Sequence, residues 1–327
     1  MDETLRRVEP GTGGITRRVA GRGFTYVTAR GRRITATKTL ERIDGLTIPP
    51  AWSHVWIATQ ADAHIQATGV DDAGRTQYIY HPRWREIRDG EKYIRSLAFA
   101  QRLPTVRRIV SRDLKQDVDR RRRALAAGVR LIDRAGLRVG GAAYAEENGS
   151  FGATTLQRRH VGIEGNVLHL VFRGKSAGNW DVRVRDELLL NYVASVPRTP
   201  ASGPALCHAV RSGRRKEWHG ISDADVNGYL GDIAGHGFTA KDFRTWQGTV
   251  VAALSLARSS RSGATSPEAV TAAIREAAEW LHNTPAVARD SYVNPRVIAL
   301  FEQGIVAASG RQKDRAVLAL LSGSAAP

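Results

Sequence analysis

The chain has 327 residues, of which 42% are hydrophobic, so it is long enough to bury a core and to form two domains. Lysine and arginine total 49 against 32 aspartate and glutamate residues, and this net charge of +17 indicates a polyanionic partner. The single cysteine, Cys207, excludes an internal disulfide framework and a cysteine-based zinc finger, and we expect it to be a small core residue. The nine histidines lack paired metal-binding spacing, so the sequence predicts no metal site.

The sequence gives no sign of a membrane protein. No apolar run reaches the length of a transmembrane span, and the opening residues MDETLRRVEPGTGG lack the apolar region of a signal peptide. We therefore expect a cytoplasmic protein. The basic surface could also serve solubility or an anionic membrane surface, so charge alone does not identify the partner.

The first part of the chain is predicted to be a small antiparallel β domain, residues 1–88. Short alternating runs typical of strands occur in GFTYVTARGRRIT, in HVWIATQ and in HIQATGVDDAGRTQYIYH. In the last of these, Asp72, Ala73 and Gly74 supply a turn between two strands.

The remainder, residues 89–327, is predicted to be a larger and mainly α-helical domain, which makes the fold class α+β. From about Asp89 the apolar residues follow helical spacing, and the segment VSRDLKQDVDRRRRALAAGVRLIDRAG ends in Gly136 as a helix-terminating glycine. The segment TTLQRRHVGIEGNVLHLVFRGKSAGNWDVRV instead predicts a three-stranded antiparallel insert. Later helices are expected to begin at Ser222 and at Ser266, which Pro267 follows at the first helical position.

Three basic residues could stabilise a phosphodiester under attack by a tyrosine. Such an attack produces a doubly negative transition state that needs fixed cations, and the leaving alkoxide needs a proton donor. Arg138 lies in GLRVGG after a basic helix, Lys175 at a hairpin tip in FRGKSAG, and Arg244 early in a helix in KDFRTW. Each of them alone is typical of a solvated surface. The basic helix Arg120 to Arg130 favours a solvated or phosphate-facing surface over a catalytic element.

The stretch HNTPAVARDSY contains a tyrosine that could be the nucleophile, although a buried structural tyrosine is the simpler interpretation. Asn283 and Tyr292 are nine residues apart, so one straight helix would point them in opposite directions. Thr284 as N-cap and Pro285 at the first helical position predict a break that lets Asn283 end one helix while a new short helix carries Tyr292.

Taken in order, these residues resemble the catalytic set of the type IB DNA topoisomerases, in particular their small poxvirus-like and bacterial branch. The family has an arginine two residues before a glycine, a Gly-Lys hairpin, an arginine in a Lys-Asp-Phe-Arg-Thr context, and a Thr-Pro pair before the nucleophilic tyrosine. These positions are Arg138, Lys175, Arg244, Asn283 and Tyr292. The resemblance runs from RIDGLTIPPAW to beyond Tyr292 and so covers most of the chain.

The resemblance implies that Tyr292 attacks a DNA phosphate, forms a 3′-phosphotyrosyl link and releases a 5′-hydroxyl. Arg138 and Arg244 would hold the non-bridging oxygens, and Lys175 would protonate the leaving oxygen, together with Arg138. Many relatives have histidine where this chain has Asn283, and an amide can donate a hydrogen bond but cannot shuttle a proton. The adjacent His282 is expected to point in a different direction.

The resemblance also implies that the β domain binds double-stranded DNA and that the chain clamps the duplex as a monomer in the nucleoid. Arg75, Gln77, Tyr78 and Tyr80 lie on one hairpin in GRTQYIYH, with Gln77 on the face opposite the two tyrosines. Gln77 and Tyr78 would touch base edges, and Arg75 and Tyr80 the backbone. A half-buried strand with ordinary cross-strand aromatics is the alternative.

Two other functions share part of this pattern. A tyrosine recombinase has nearly the same catalytic set, but its second arginine usually ends a His-x-x-Arg motif, and here Lys241 lies three residues before Arg244. A DNA-binding protein that has lost catalysis is the other alternative. Exchange of a phosphodiester for a phosphotyrosyl ester conserves bond energy, so the topoisomerase reading predicts no need for ATP, metal or another cofactor, in agreement with the absence of a Gly-x-x-x-x-Gly-Lys loop.

Overall fold

A computed structural model of the chain describes residues 5–115, 119–175, 178–196, 200–212, 215–263 and 266–323. The chain divides into two compact units, Met1–Tyr93 and Ile94–Pro327. The division falls inside a long helix, Pro82–Lys115, and so does the domain boundary predicted at residues 88 and 89. The helix begins earlier than the expected change at Asp89, because Pro82 has the fixed φ that suits a first helical turn.

The first unit is an antiparallel sheet with one helix on it, which confirms the predicted β class of this part. Its elements are β1 (Ile15–Ala20), β2 (Gly23–Thr28), α1 (Thr37–Gly45), β3 (Ser53–Ile57), β4 (Ile65–Val70) and β5 (Thr76–Tyr80). The strand order is β2-β1-β3-β4-β5, and every neighbouring pair is antiparallel. The sequence patterns did not predict β1 or α1, since one is short and rich in arginine and the other spans only nine residues.

One face of this sheet forms a small core beneath α1. Ile43 of α1 is 1% exposed and packs with Ile15, Val55 and Ile57 of the sheet. The segment that leads from α1 to β3, which contains the IPPAW sequence, is held by Arg17 of β1. Its guanidinium donates hydrogen bonds to the carbonyl oxygens of four residues in that segment, Ile48, Pro49, Pro50 and Trp52. A single arginine therefore fixes a loop that has no regular structure of its own.

The second unit is mainly helical and contains the predicted three-stranded sheet. Its elements are α2 (Pro82–Lys115, which begins in the first unit), α3 (Arg120–Ala135), α4 (Ala142–Asn148), two short 3-10 helices (Ala153–Thr155 and Arg158–His160), β6 (Val161–Glu164), β7 (Val167–Arg173), β8 (Asn179–Val184), α5 (Glu187–Ser195), β9 (Cys207–Ser212), β10 (Arg215–Gly220), α6 (Asp223–Ala234), α7 (Ala240–Arg261), α8 (Pro267–Leu281), α9 (Pro285–Ser291), α10 (Pro295–Glu302) and α11 (Lys313–Ser322). Strands β6, β7 and β8 pair antiparallel in that order. The predicted α+β class is thereby confirmed.

Helix ends lie where the sequence predicts them. Gly136 ends α3 in the left-handed conformation at φ 66°, Ser222 caps α6 with its hydroxyl, and Ser266 precedes Pro267 at the start of α8. The hairpin of β9 and β10 was not predicted, because its strands CHAVRS and RKEWHG show little apolar alternation. Cys207 at its start is 2% exposed, as expected of a core residue.

The basic helix α3 lies in the core of the second unit and makes intramolecular ion pairs. Arg122 bonds to Asp113, Arg121 to Asp225, and Arg130 to Asp186, with nitrogen to oxygen distances of 2.6 to 2.8 Å. The side chains of Arg121 and Arg122 remain 54% and 38% exposed, in agreement with the expected solvated surface, whereas that of Arg130 is 14% exposed and is packed against its carboxylate.

Among the helices within the described ranges, none combines the length and the apolar character that a membrane crossing requires.

The start of α7 is anchored by a carboxylate that the site depends on. Asp242 is 7% exposed, accepts two hydrogen bonds from Arg95 at 2.8 and 2.5 Å, and accepts a third from the backbone N–H of Thr239 at 2.7 Å. Both contacts fix the first turn of the helix that carries Arg244.

We expect Asp242→Ala to lower the free energy of unfolding by about 2 kcal/mol, because Arg95 and the helix N-terminus both lose a charged acceptor. Urea denaturation measures the change. The control is Asp232→Ala, which removes an exposed carboxylate with no partner among the described residues and should change stability by less than about 0.5 kcal/mol. Equal losses in the two variants would contradict the anchoring role.

Candidate active site

Arg244 is the most deeply buried cation of the site. Its residue is 2% exposed, and the guanidinium donates to the carbonyl oxygens of Gly136 and Leu281, the second at 2.9 Å. Gly136 caps α3 and Leu281 is the last residue of α8, so both acceptors belong to the partially negative ends of helices. Burial, followed by the charge of Arg138, lowers the pKa of Arg244 to about 10, which still leaves it charged near neutral pH.

Arg138 lies two residues beyond the helix end that Arg244 holds. The glycine-rich segment after it packs closely, because a Cβ on Gly152 would lie 2.7 Å from the Arg138 carbonyl oxygen. That oxygen accepts a hydrogen bond from the backbone N–H of Ala153 at 2.9 Å. The Arg138 guanidinium donates to Oδ1 of Asn283 at 2.5 Å. A Cβ on Gly140 would likewise lie 3.0 Å from Cα of Gly152, so the two glycines let these segments pack backbone against backbone.

Asn283 follows the end of α8, as predicted. Its backbone N–H donates to the Ala278 carbonyl at 2.9 Å, and His282 before it has a left-handed backbone with φ 48°. Because Oδ1 accepts from Arg138, the Nδ2 group is the free end of the amide. Nδ2 of Asn283 and Nε of Arg244 are both buried and have no hydrogen-bond partner among the described residues. The site therefore holds two buried donors that can receive acceptor oxygens.

Tyr292 lies next to the Arg244 guanidinium. The short helix α9 begins with Thr284, whose hydroxyl accepts from the Val287 N–H at 3.3 Å, and Tyr292 follows its last residue. The ring centroid of Tyr292 is 5.1 Å from the guanidinium carbon of Arg244. The break between Asn283 and Tyr292 at Thr284 and Pro285 is confirmed.

The backbone of Tyr292 is fixed by α7. The Thr249 hydroxyl donates to the Tyr292 carbonyl at 3.0 Å and accepts from the Asn294 N–H at the same distance. A Cβ on Gly248 would lie 3.1 Å from Cβ of Tyr292. Gly248 lies one turn beyond Arg244 on the same helix face, so one helix positions both the cation and the tyrosine.

The pKa of Tyr292 is lowered from its ordinary value. Burial acts to raise it, but the positive charge of Arg244 and hydrogen bonding to its guanidinium, with smaller contributions from Arg138 and Lys241, outweigh burial. A phenol that ionises more readily is a better nucleophile.

Lys175 shares a cleft with Arg138. The cleft has a volume of about 230 Å³ and is also lined by Tyr144, Phe151 and Asp223. The Lys175 ammonium lies 5.6 Å from the centre of the Tyr144 ring. Lys175 follows β7 as predicted, and the Gly174 N–H donates to the Gly178 carbonyl at 2.8 Å; Ser176 and Ala177 of the predicted turn lie outside the described residues.

A stack of aromatic rings connects this hairpin to the end of α8. The rings of Trp180 in β8 and His282 are nearly parallel, with centroids 3.8 Å apart. Burial, then the charges of Arg244 and Arg138, lower the pKa of His282, so its ring stays neutral at neutral pH. His282 therefore points towards the sheet, in a different direction from Asn283.

In the first unit, the predicted DNA-binding residues of β5 lie on two faces. Tyr78 and Tyr80 are 46% and 42% exposed, and their rings stack at 5.9 Å. Arg75 and Gln77 both donate to the Asp71 carboxylate, at 3.0 and 2.8 Å. The pKa of Asp71 is lowered to about 2, mainly because the backbone N–H of Arg75 donates a hydrogen bond to its carboxylate. The predicted alternation of Gln77 with the tyrosines is confirmed, and their contacts with DNA stay a prediction.

Sequence reasoning missed three residues that position the site, Gly248, Thr249 and Trp180, and it missed the contact of His282 with Trp180. Gly248 could have been found, because a lone glycine in the middle of a helical pattern costs about 1 kcal/mol and so indicates close approach by a neighbouring group. The Trp180 and His282 pair is distant in sequence and left no pattern.

The chain is similar to known proteins over nearly its whole length. Residues 81–309 match the family described as the catalytic core of eukaryotic DNA topoisomerase I, and residues 23–71 match that described as the N-terminal domain of bacterial DNA topoisomerase IB. The DNA topoisomerase 1B of Acanthamoeba polyphaga mimivirus is 29% identical over 297 residues, which cover 88% of each of the two chains. With one family match that spans more than half of its residues, this chain belongs to the type IB DNA topoisomerase family.

Proposed function

We propose that the chain relaxes supercoiled duplex DNA by cutting one strand transiently through a 3′-phosphotyrosyl intermediate and rejoining it. The observation that carries the proposal is the pair of unpartnered buried donors, Nε of Arg244 and Nδ2 of Asn283, of which the Arg244 guanidinium lies beside Tyr292. Buried polar groups are nearly always hydrogen-bonded, and two such donors next to a nucleophile suit the non-bridging oxygens of a phosphate.

In the cleavage step, the Tyr292 oxygen forms a bond to phosphorus and the bond from phosphorus to the 5′-oxygen breaks. The phenolic proton passes to solvent, and Arg244, whose charge already favours the phenolate, stabilises the added negative charge on the phosphate. Arg138 acts on the same phosphate, because it is hydrogen-bonded to Asn283 and its charge is close enough to Arg244 to help lower the pKa of that residue. Religation is the reverse of this step.

Lys175 supplies the proton to the leaving 5′-oxygen. It lies in the cleft that contains Arg138, where its ammonium is held above an aromatic ring instead of being bound to a carboxylate among the described residues. A lysine without an acidic partner is free to donate towards a substrate alkoxide.

The reaction needs no external energy source. A phosphodiester is exchanged for a phosphotyrosyl ester of similar energy, so neither ATP nor a metal ion is required in principle. The cations that such a reaction demands are supplied by arginine, which matches two phosphate oxygens with its fork and stays charged.

We propose further that the chain binds the duplex as a monomeric clamp, to which the first unit contributes the exposed face of β5. Tyr78 and Tyr80 present stacked, exposed rings there, and large exposed aromatics on a strand suit contact with nucleic acid. Arg75 and Gln77 are held in place by Asp71, which reduces the entropy lost when they bind.

Purified protein is expected to relax supercoiled plasmid in EDTA without ATP, and Tyr292→Phe is expected to leave the plasmid supercoiled. Gel electrophoresis of the plasmid measures both, and circular dichroism checks that the variant is folded. A recombinase would require paired sites, and a binding protein would do neither. Failure of the folded wild-type protein to relax DNA would overturn the proposal.

Asn283→His is expected to keep relaxation activity, because both side chains can donate a hydrogen bond to a phosphate oxygen. Asn283→Ala removes the Nδ2 donor and also the Oδ1 atom that accepts from Arg138, so we expect the cleavage rate to fall by about 10²-fold. Single-turnover cleavage of a short duplex gives the rates. An Asn283→Ala rate equal to that of the wild type would show that the amide does not touch the transition state.

Binding to duplex DNA should weaken steeply as salt rises, since contacts of cations with phosphates release counterions. If about six phosphates are neutralised, the dissociation constant should increase by about 10³-fold between about 50 and 200 mM salt. Fluorescence anisotropy with the non-cleaving Tyr292→Phe protein measures this slope. An affinity independent of salt would contradict a phosphate-dominated clamp.

A further inference from the structure

The lysine hairpin is fixed at its base by one tryptophan. Trp180 of β8 is 2% exposed and stacks on Phe172 of β7, with centroids 5.4 Å apart. Gly174, the residue before Lys175, packs so closely on the indole that a Cβ there would lie 2.3 Å from Nε1 of Trp180. The backbone next to Lys175 therefore rests directly on the Trp180 ring.

The opposite neighbour of Trp180 is the end of α8. His282 stacks on the indole at 3.8 Å with an angle of 20° between the rings. Its backbone has φ 48°, a conformation that favours glycine and is uncommon for other residues. Histidine therefore occupies a position that suits glycine, and its imidazole ring packs on Trp180. The next residue is Asn283, which bonds to Arg138.

We propose that the Trp180 and His282 stack positions Lys175 against the phosphate site. It joins the loop before the lysine to the segment that carries Asn283, so the proton donor and the oxygen-binding residues are held in one packed unit. The inference rests on the proposed role of Lys175 as the acid. His282 and Trp180 act through the lysine and not on the DNA.

The stack could have a purely structural role, in which case its loss would affect folding or slow every step of the reaction equally. Substrates with different leaving groups distinguish this role from the positioning of Lys175. In DNA with sulfur in place of the bridging 5′-oxygen, the leaving thiolate has a low pKa and needs no proton donor. A variant that only misplaces Lys175 is therefore slow on ordinary DNA and fast on the sulfur substrate.

The test variant is His282→Gly, which removes the ring and suits the left-handed backbone, so the fold should be kept. We expect single-turnover cleavage of ordinary DNA to slow by about tenfold, and cleavage of the sulfur substrate to stay within about twofold of the wild-type rate. His282→Phe retains a stacking ring and should keep more of the rate on ordinary DNA than His282→Gly. Thermal melting confirms that both variants are folded.

Gly174→Ala tests the same contact from the hairpin side, because its methyl group would displace the loop from Trp180. The same dependence on the leaving group is expected. If His282→Gly and Gly174→Ala are unaffected, or are slowed equally on both substrates, the positioning role is overturned.

Lys175→Ala distinguishes this outcome from a failure of the proposed mechanism. We expect it to be slowed by about 10²-fold or more on ordinary DNA and restored on the sulfur substrate. If Lys175→Ala shows this pattern and His282→Gly does not, the acid role stands and only the positioning inference fails. If Lys175→Ala is slowed equally on both substrates, the acid role fails, and the positioning inference fails with it.

Discussion

The site depends on the burial of one positive charge. Moving a guanidinium out of water is costly unless its donors are satisfied, and Arg244 satisfies its two terminal nitrogens with carbonyl oxygens from the ends of two helices. Only its Nε lacks a partner among the described residues. No carboxylate among the described residues pairs with it, so its charge is not cancelled. Because α3 and α8 must both end at this guanidinium, the segments that follow them, with Arg138 and Asn283, are brought to the same place.

The same helix that carries Arg244 also sets the position of the tyrosine. Gly248 admits the Tyr292 backbone to van der Waals distance, and Thr249 links the residues on either side of Val293 by hydrogen bonds. A helix is a rigid spacer, so the separation between the arginine and the tyrosine is set by one turn of backbone and not by flexible loops. Asp242, itself 7% exposed, fixes that helix at its start through part-buried hydrogen bonds.

The sequence was informative where local chemistry decides the structure. Gly136, Ser222, Ser266 and Thr284 end or begin helices through their own backbone or side-chain preferences, so each could be placed without tertiary information. The candidate catalytic residues were found through the short motifs around them and the order of those motifs in the chain. The distances between these residues in the sequence would not have identified them.

Features that depend on contacts between residues distant in sequence were not predicted. The ion pairs of Arg130 with Asp186 and of Arg121 with Asp225 were not predicted, because the partners are 56 and 104 residues apart in sequence. Strands β9 and β10 lack an apolar alternation, so no periodic signal marks them. The stack of Trp180 on His282 likewise joins two segments about a hundred residues apart, and no local pattern could reveal it.

The amide at Asn283 affects how the charge of the site responds to pH. A histidine at such a position would gain and lose a proton within the range of roughly pH 5 to 8, and the positive charge offered to a phosphate would vary with it. An amide does not titrate, and Arg244, with a pKa of about 10, stays protonated across that range. The two groups proposed to bind the phosphate therefore carry a constant charge in mildly acidic and mildly basic conditions alike.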